Sequence, residues 1–342
     1  MKNVGICGAG LIGASWAIGF ANAGFKCLVY DTNQESIKNF EKTSNQLLLD
    51  LKILEPEIDV NQIKSNIILN CTINEICKDA LLIQESIIED LDAKQQIFRE
   101  LDRLSLKNTI LASSSSYLLI SKISEYVEHK HRCINAHPAL PPHVVPFVEV
   151  VGSNYTSNEI VRKAINLYKK ANYAAIVVNK ETEGFVLNRL QGALLNEAVR
   201  LHEGGYASME DIDIALKHAL GIRWAFMGPF EIMDLNAPEG IKDSFSRYKS
   251  GIQNLAREQN SVPEYSEKYL NKSISIKEKI HGEFHDEIAT SLIFIGDLYH
   301  SKGEYQKSEE AFKRSKNIYI NFCFMDFFHI GLSFTVAAYH LI

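Results

Sequence analysis

A histidine and a glutamate flank a proline-rich connection in Asn135-Ala136-His137-Pro138-Ala139-Leu140-Pro141-Pro142-His143-Val144-Val145-Pro146-Phe147-Val148-Glu149. The apolar run 132–136 reads as a strand and 147–151 as another, so His137 and Glu149 are expected near adjoining strand ends. Pro138, Pro141, Pro142 and Pro146 remove backbone donors and fix φ, which holds the connection extended. A neutral imidazole, with an ordinary pKa near ~6.5, can take a hydroxyl proton at neutral pH. A carboxylate on its other nitrogen fixes the tautomer and stabilises the imidazolium. His137 is therefore a candidate general base and Glu149 its orienting partner. These residues alone are equally compatible with a loop histidine and an exposed glutamate that never meet.

A second constellation lies at the start of the chain. Residues 4–7 read as a strand running into Gly8-Ala9-Gly10-Leu11-Ile12-Gly13, followed by helical spacing over 14–23 and a stop at Gly24. In such a strand–turn–helix unit Gly8 permits the tight turn and Gly10 lets backbone approach a pyrophosphate. Gly13 allows close helix–strand packing, with the helix N-terminus facing the phosphate charge. A lone glycine fingerprint is weak, but here a second strand over 26–30 ends in Asp31, about twenty residues on. A carboxylate at that strand end accepts bonds from the adenosine ribose and repels a 2′-phosphate, and no arginine occurs in 32–36. The expected cofactor is NAD rather than NADP.

The elements that must position these groups alternate. A helix over 35–54, strands over 67–71 and 80–85, an amphipathic helix over 93–104 and a strand over 109–112 continue the pattern. The last of these delivers Ser113-Ser114-Ser115-Ser116 to the carboxyl edge of an open parallel sheet, where ligands bind. Side-chain chemistry alone does not choose among the four serines. After a helix over 157–170 and a strand over 174–178 the character changes, and a boundary is placed at 183/184 within 180–184. From Phe185 onward the reading is all helical, with a long, largely apolar helix first and another opened by Ser208. The expected fold class is α/β: a Rossmann-like dinucleotide-binding domain (1–183), an all-helical domain (184–270) and a helical, repeat-like extension.

Composition narrows the function class. With 342 residues, 46% of them hydrophobic, the chain is long enough for two cores, and a net charge of −6 argues against nucleic acid as a partner. Six cysteines (Cys7, Cys27, Cys71, Cys77, Cys133, Cys323) are scattered without a CxxC pair. They read as reduced, buried thiols in a cytoplasmic protein, with no metal site. No signal segment is expected ahead of the first strand.

Through Tyr269 the chain resembles the L-3-hydroxyacyl-CoA dehydrogenase superfamily, most closely its lambda-crystallin and L-gulonate 3-dehydrogenase branch. The likeness rests on the 8–13 glycine turn, Ile88-Glu89-Asp90-Leu91-Asp92-Ala93-Lys94, the four serines, and His137-Pro138 with Pro141-Pro142 and Val148-Glu149-Val150. It continues in Gly184-Phe185-Val186-Leu187-Asn188-Arg189-Leu190 and Arg223-Trp224-Ala225-Phe226-Met227-Gly228-Pro229. The resemblance implies NAD contacts at Leu11, Ile12, Asp31, Glu89 and Lys94, and a catalytic group of Ser116, His137, Glu149 and Asn188. It implies that His137, oriented by Glu149, removes the alcohol proton while hydride leaves the same carbon. Ser116 and Asn188 hold the oxygen as it becomes a carbonyl. It also implies a homodimer through the helical domain.

Arg223 tilts the expected substrate to a small L-3-hydroxy acid, L-gulonate first, because a guanidinium can clamp a free carboxylate that an acyl thioester lacks. L-carnitine and hydroxyacyl-CoA stay open, as does crystallin-like structural use with little turnover. Trp224 or Phe226 offers an aromatic face to a quaternary ammonium. One departure stands out: Leu140 occupies a position where the family usually has asparagine.

Beyond that region, 271–320 resembles a kinesin-light-chain type tetratricopeptide repeat, carried by Leu298-Tyr299, Lys302-Gly303-Glu304-Tyr305 and Glu309-Glu310-Ala311-Phe312. Such repeats bury their faces against neighbours, and one repeat is not expected to fold alone. The apolar tail 321–342 carries Asp326, His329 and His340, and its uncharged run falls short of the ~18 residues of a membrane span.

Overall fold

The computed structural model describes residues 3–259, 271, 274, 275, 278, 286–301 and 304–325. The described residues fall into two compact units, one ending at Arg189 and the other beginning at Leu190.

The first unit runs β1 (Asn3–Cys7), α1 (Leu11–Asn22), β2 (Lys26–Tyr30), α2 (Gln34–Leu54), α3 (Val60–Ser65), β3 (Ile67–Ile68), α4 (Ile73–Cys77) and β4 (Ala80–Glu85). It continues with α5 (Leu91–Leu104), β5 (Ile110–Ser113), α6 (Ile120–Ile123), β6 (Cys133–Pro138), β7 (Phe147–Gly152), α7 (Asn158–Lys170) and β8 (Ala174–Val178). The strands form one sheet in the order β3-β2-β1-β4-β5-β6-β7-β8. Every neighbouring pair is parallel except β6 and β7. The order reverses between β1 and β4, the switch point beside which an open α/β sheet leaves a ligand crevice.

Helices cover both faces, so the inner strands are apolar on both sides. Leu82, Ile110, Ala112, Ile134 and Ala136 point into the core shared with α1 and α7. Their alternates Ile83, Leu111 and Cys133 point into the core shared with α5 and α6. Trp16 and Phe20 of α1 stack with each other and against Tyr168 and Tyr173, which ties the cofactor helix to α7. Cys7, Cys27, Cys71, Cys77 and Cys133 are free and buried. Burial pushes the Cys77 and Cys133 thiols up to about 12 and raises those of Cys7 and Cys27 as well.

Helix starts follow local chemistry. Asn33, Asp90 and Ser157 each accept a first-turn N–H, and Thr72 with Glu75 forms a reciprocal cap. The third strand is shorter than its sequence suggests. Only Ile67 and Ile68 pair with β2, because Asn70 turns the chain with φ 58° just beyond them.

The second unit is helical among its described residues. α8 (Leu187–Glu203) enters it, followed by α9 (Met209–Ala215), a π-helical turn (Leu216–Gly221), α10 (Ile222–Trp224), α11 (Pro229–Leu235) and α12 (Ile241–Glu258). A hairpin of α13 (Asp286–Ser301) and α14 (Tyr305–Met325) comes last. It buries Ile288, Leu292, Ile295, Tyr299, Ala311 and Ile318 together with Ile274, and the Phe312 ring fills the space a side chain at Gly296 would need. No helix among the described residues is long and apolar enough to cross a membrane, and the tail from 326 lies outside them.

Candidate active site

The carboxyl edge of the sheet gathers the predicted residues of the first unit. At its switch point the glycine turn leaves β1 with Gly8 at φ +111°. A methyl group on Gly13 would overlap the Gly8 carbonyl oxygen, so helix and turn close only with glycine there. Gly10 differs, since a side chain there would meet no atom within 4 Å. It is the N-cap of α1, which has neither a side-chain cap nor an acidic first turn. Space beside Gly10, with the first turn of α1 at Leu11, Ile12 and Gly13, suits a dinucleotide pyrophosphate. Asp31, at the end of β2, accepts the Ala9 N–H and the Asn33 N–H at 2.7 Å each. This fastens the carboxylate beside the turn where a ribose would lie.

Glu89 and Lys94 meet. The Lys94 ammonium, 1% exposed, donates to Glu85 Oε1 at 2.7 Å and lies 3.4 Å from Glu89 Oε2. Glu85 is not among the residues that the sequence singles out. It is fully buried at the end of β4, with Lys94 on one oxygen and Ser113 Oγ on the other at 2.6 Å. A signal for it exists, because Glu85 closes its strand as Asp31 closes β2.

Hydrogen bonding separates the four serines. Ser113 donates to Glu85. Ser114 accepts from Trp16 Nε1 at 3.0 Å and Gln84 Nε2 at 2.7 Å, and bonds Ser86 at 2.8 Å. Ser115 donates to Glu89 and accepts the Leu118 N–H at 2.8 Å. Ser116, half-buried, is the one whose hydroxyl bonds no described residue, which leaves it available to a ligand.

The histidine and glutamate do meet. β6 and β7 pair antiparallel with His137 directly opposite Glu149, which puts both side chains on one face of the sheet. His137 Nδ1 lies 2.9 Å from Glu149 Oε2. Glu149 Oε1 accepts the Val186 and Leu187 N–H groups, each at 2.9 Å, and no part of Glu149 is exposed. Two backbone donors on Oε1 mark the buried Glu149 as an acceptor, which favours the Nδ1–H tautomer of His137 and leaves the ring's lone pair on Nε2. The next residue after this clamp is Asn188, in the first turn of α8, half-buried, with a side chain that bonds no described residue.

Arg223 belongs to the second unit. It sits on α10 directly after the π-helical turn, exposed, and its guanidinium bonds no described residue. Two further residues escape sequence reasoning. Phe185 packs its ring on His137, with centroids 5.5 Å apart. His143, 6% exposed, has no partner among the described residues for either ring nitrogen, and burial lowers its pKa from 6.5 to about 4.

Residues 3–182 match the NAD-binding domain of 3-hydroxyacyl-CoA dehydrogenase, and residues 184–273 match its C-terminal domain. The chain belongs to the 3-hydroxyacyl-CoA dehydrogenase family. Within that family it is 40% identical over 265 residues to a lambda-crystallin homolog of Rattus norvegicus, covering 76% of this chain and 82% of the rat protein. It is 34% identical over 237 residues to an L-carnitine dehydrogenase of Oceanobacillus iheyensis, covering 67% of this chain and 74% of that one. A solved NAD+-dependent dismutase, 5-formyl-3-hydroxy-2-methylpyridine 4-carboxylic acid 5-dehydrogenase, superposes with a TM-score of 0.68 at 26% identity. That superposition covers 80% of this chain and 86% of the dismutase. Residues 263–321 match a tetratricopeptide repeat, a match that overlaps the end of the C-terminal-domain match. NAD is the cofactor of the family's first domain, and the open space at Gly10 and the carboxylate at Asp31 fit it.

Proposed function

We propose that this protein oxidises the 3-hydroxyl of a small L-3-hydroxy acid with NAD, and that L-gulonate, giving 3-dehydro-L-gulonate, is its substrate. The observation that carries this reading is the His137–Glu149 pair, fixed by strand register with Nε2 left free. His137 Nε2 takes the hydroxyl proton while Glu149, across the ring, stabilises the imidazolium that forms. Bound NAD supplies the hydride acceptor. Ser116 and Asn188, both with side chains unbonded to any described residue, donate to the substrate oxygen as it gains carbonyl character. Leu11 and Ile12 in the first turn of α1, with Asp31, Glu89 and Lys94, make up the cofactor side.

The unbonded guanidinium of Arg223 supports a free carboxylate on the substrate. The carnitine dehydrogenase relative acts on a compound that is itself a 3-hydroxy acid, and the dismutase is named for a carboxylic acid. L-carnitine is the second reading, favoured by that relative and by exposed Trp224 and Phe226 beside Arg223. A homodimer is part of the proposal. Leu190, Leu195, Phe226, Phe230, Leu235 and Leu255 are exposed, while α8 to α12 bury only Val199, Ala237 and Ser244, too little core for helices this apolar. Sedimentation of the purified chain tests that part.

NADH formation by purified protein over L-gulonate, L-carnitine, 3-hydroxybutyrate and 3-hydroxybutyryl-CoA tests the chemistry. A preference for the thioester replaces the hydroxy-acid reading. Silence on all four favours the crystallin-like use suggested by the rat relative's name.

A further inference from the structure

We infer that Phe185 is a positioning residue for the dyad: its ring packs against the His137 imidazole and limits its rotation, while its backbone aims two N–H groups at the far side of Glu149. The inference rests on the reading of His137 and Glu149 as a functional pair. Four observations carry it.

Phe185 is completely buried, yet its φ is +47°, a conformation that a bulky L-residue rarely adopts. The residue before it, Gly184, is also left-handed at φ +72°, and Phe185 N–H closes the turn on Thr182 O at 3.1 Å. This turn is what brings the next two N–H groups, of Val186 and Leu187, side by side onto Glu149 Oε1. The ring lies against His137 at 46° and packs in one apolar cluster with Val151, Val178 and Leu119.

A packing role alone does not require this conformation. The cluster Val151, Val178 and Phe185 is small, and an apolar side chain could enter it from ordinary backbone. Left-handed backbone at a non-glycine residue persists where surrounding contacts hold it, and such positions gather at functional sites. Here both halves of the residue converge on the same pair. Without the ring, the imidazole keeps one hydrogen bond but loses the surface that stops it rotating about χ2. Without the turn, Glu149 keeps His137 but loses the two donors that hold its other oxygen. Asn188 follows the two donors directly, so the same turn sets where the first turn of α8 presents its amide.

Two variants test the ring, one of them with the turn relieved of its constraint. Phe185→Gly removes the ring but suits the left-handed backbone, so the turn and both N–H bonds to Glu149 remain. Phe185→Leu keeps apolar bulk but not a flat ring. The readout is the tautomer of His137 from its imidazole ¹⁵N shifts, assigned by the signals missing in His137→Gln, with NAD added and no substrate present. Wild type is expected to show one tautomer, protonated at Nδ1. Both variants are expected to show averaged shifts, with NAD affinity unchanged and, on any substrate turned over, kcat lower by about 10- to 100-fold at unchanged KM. A single Nδ1–H tautomer retained in both variants overturns the inference, as does a wild-type kcat in either.

The proposed oxidation fails separately. If no hydroxy acid is turned over but the tautomer is lost in the variants, positioning stands and the substrate reading falls. If turnover is normal and the tautomer survives, the reverse holds. Should Phe185→Leu not fold, Phe185→Gly, relieved of its backbone constraint, still decides between the two outcomes.

Discussion

Replacing Glu149 by glutamine changes one atom of a buried carboxylate, and the hydrogen bonds around that atom set the cost. Oε2 faces His137 Nδ1 at 2.9 Å, and Oε1 faces the Val186 and Leu187 N–H groups at 2.9 Å. Glutamine has one acceptor and one donor end. With its carbonyl toward the two backbone donors, its NH₂ meets Nδ1, so the imidazole must move its proton to Nε2 and the base is lost. With its carbonyl toward His137, the NH₂ faces two N–H groups in a site from which solvent is excluded, which leaves buried donors unpaired. Loss of a hydrogen bond to a charged group costs about 1.5 to 3 kcal/mol, or about 10- to 150-fold in rate. A reversed tautomer can cost as much as ~10⁴-fold, as the analogous change does in serine proteases. We expect Glu149→Gln to lower kcat by at least about 10-fold, with NAD affinity near normal and a loss that varies with pH. Steady-state NADH kinetics across pH, with nucleotide binding followed by fluorescence, measures both. A variant with wild-type kcat at neutral pH would refute the assignment of Glu149 as the orienting charge.

Other perturbations reach other parts of the site. Asp31→Ala removes the carboxylate that meets Ala9 and Asn33, and should weaken NAD by about 10-fold or more while affecting NADP less. A fluorescence titration in which wild type prefers NADP contradicts it. Arg223→Ala should raise KM for a 3-hydroxy acid by the equivalent of about 1.5 to 3 kcal/mol and leave NAD binding intact. Steady-state kinetics on the acid and on its methyl ester check this, since the ester should be a poor substrate already and little changed. His143 makes stability pH-dependent. Its pKa of about 4 in the fold lies below the unfolded value of 6.5, so the unfolded chain alone binds a proton between them. The contribution is fully present above pH 6.5 and is lost as pH falls toward 4, by up to about 3 kcal/mol. Denaturant melts over that range should show the slope, and His143→Leu should flatten it.

Much of this site can be read from residue types in order. The glycine turn, Asp31 at the end of β2 and the strands on either side of the proline-rich loop are local patterns, set by steric demands a few residues long. Antiparallel register then converts a sequence separation into direct opposition of His137 and Glu149, which pattern alone leaves open. Hydrogen bonding singles out Ser116, because its three neighbours are bound to Glu85, Gln84, Trp16 and Glu89, and no sequence rule shows those distant partners. The expected third strand fails beyond Ile68, where Asn70 takes the left-handed conformation open to its short polar side chain. The left-handed turn at Phe185 is not legible in the sequence either. The residue's apolar character reads as helix, while the first N–H groups of the helix it precedes, which have no acceptor inside that helix, are met by the distant Glu149.

The most direct test compares wild type with His137→Gln for NADH formation on L-gulonate at neutral pH. With Nε2 as the proposed base, turnover by wild type should fall by ~10²-fold or more in the variant, with NAD affinity nearly unchanged. A His137→Gln protein that keeps near-normal kcat would contradict the mechanism outright.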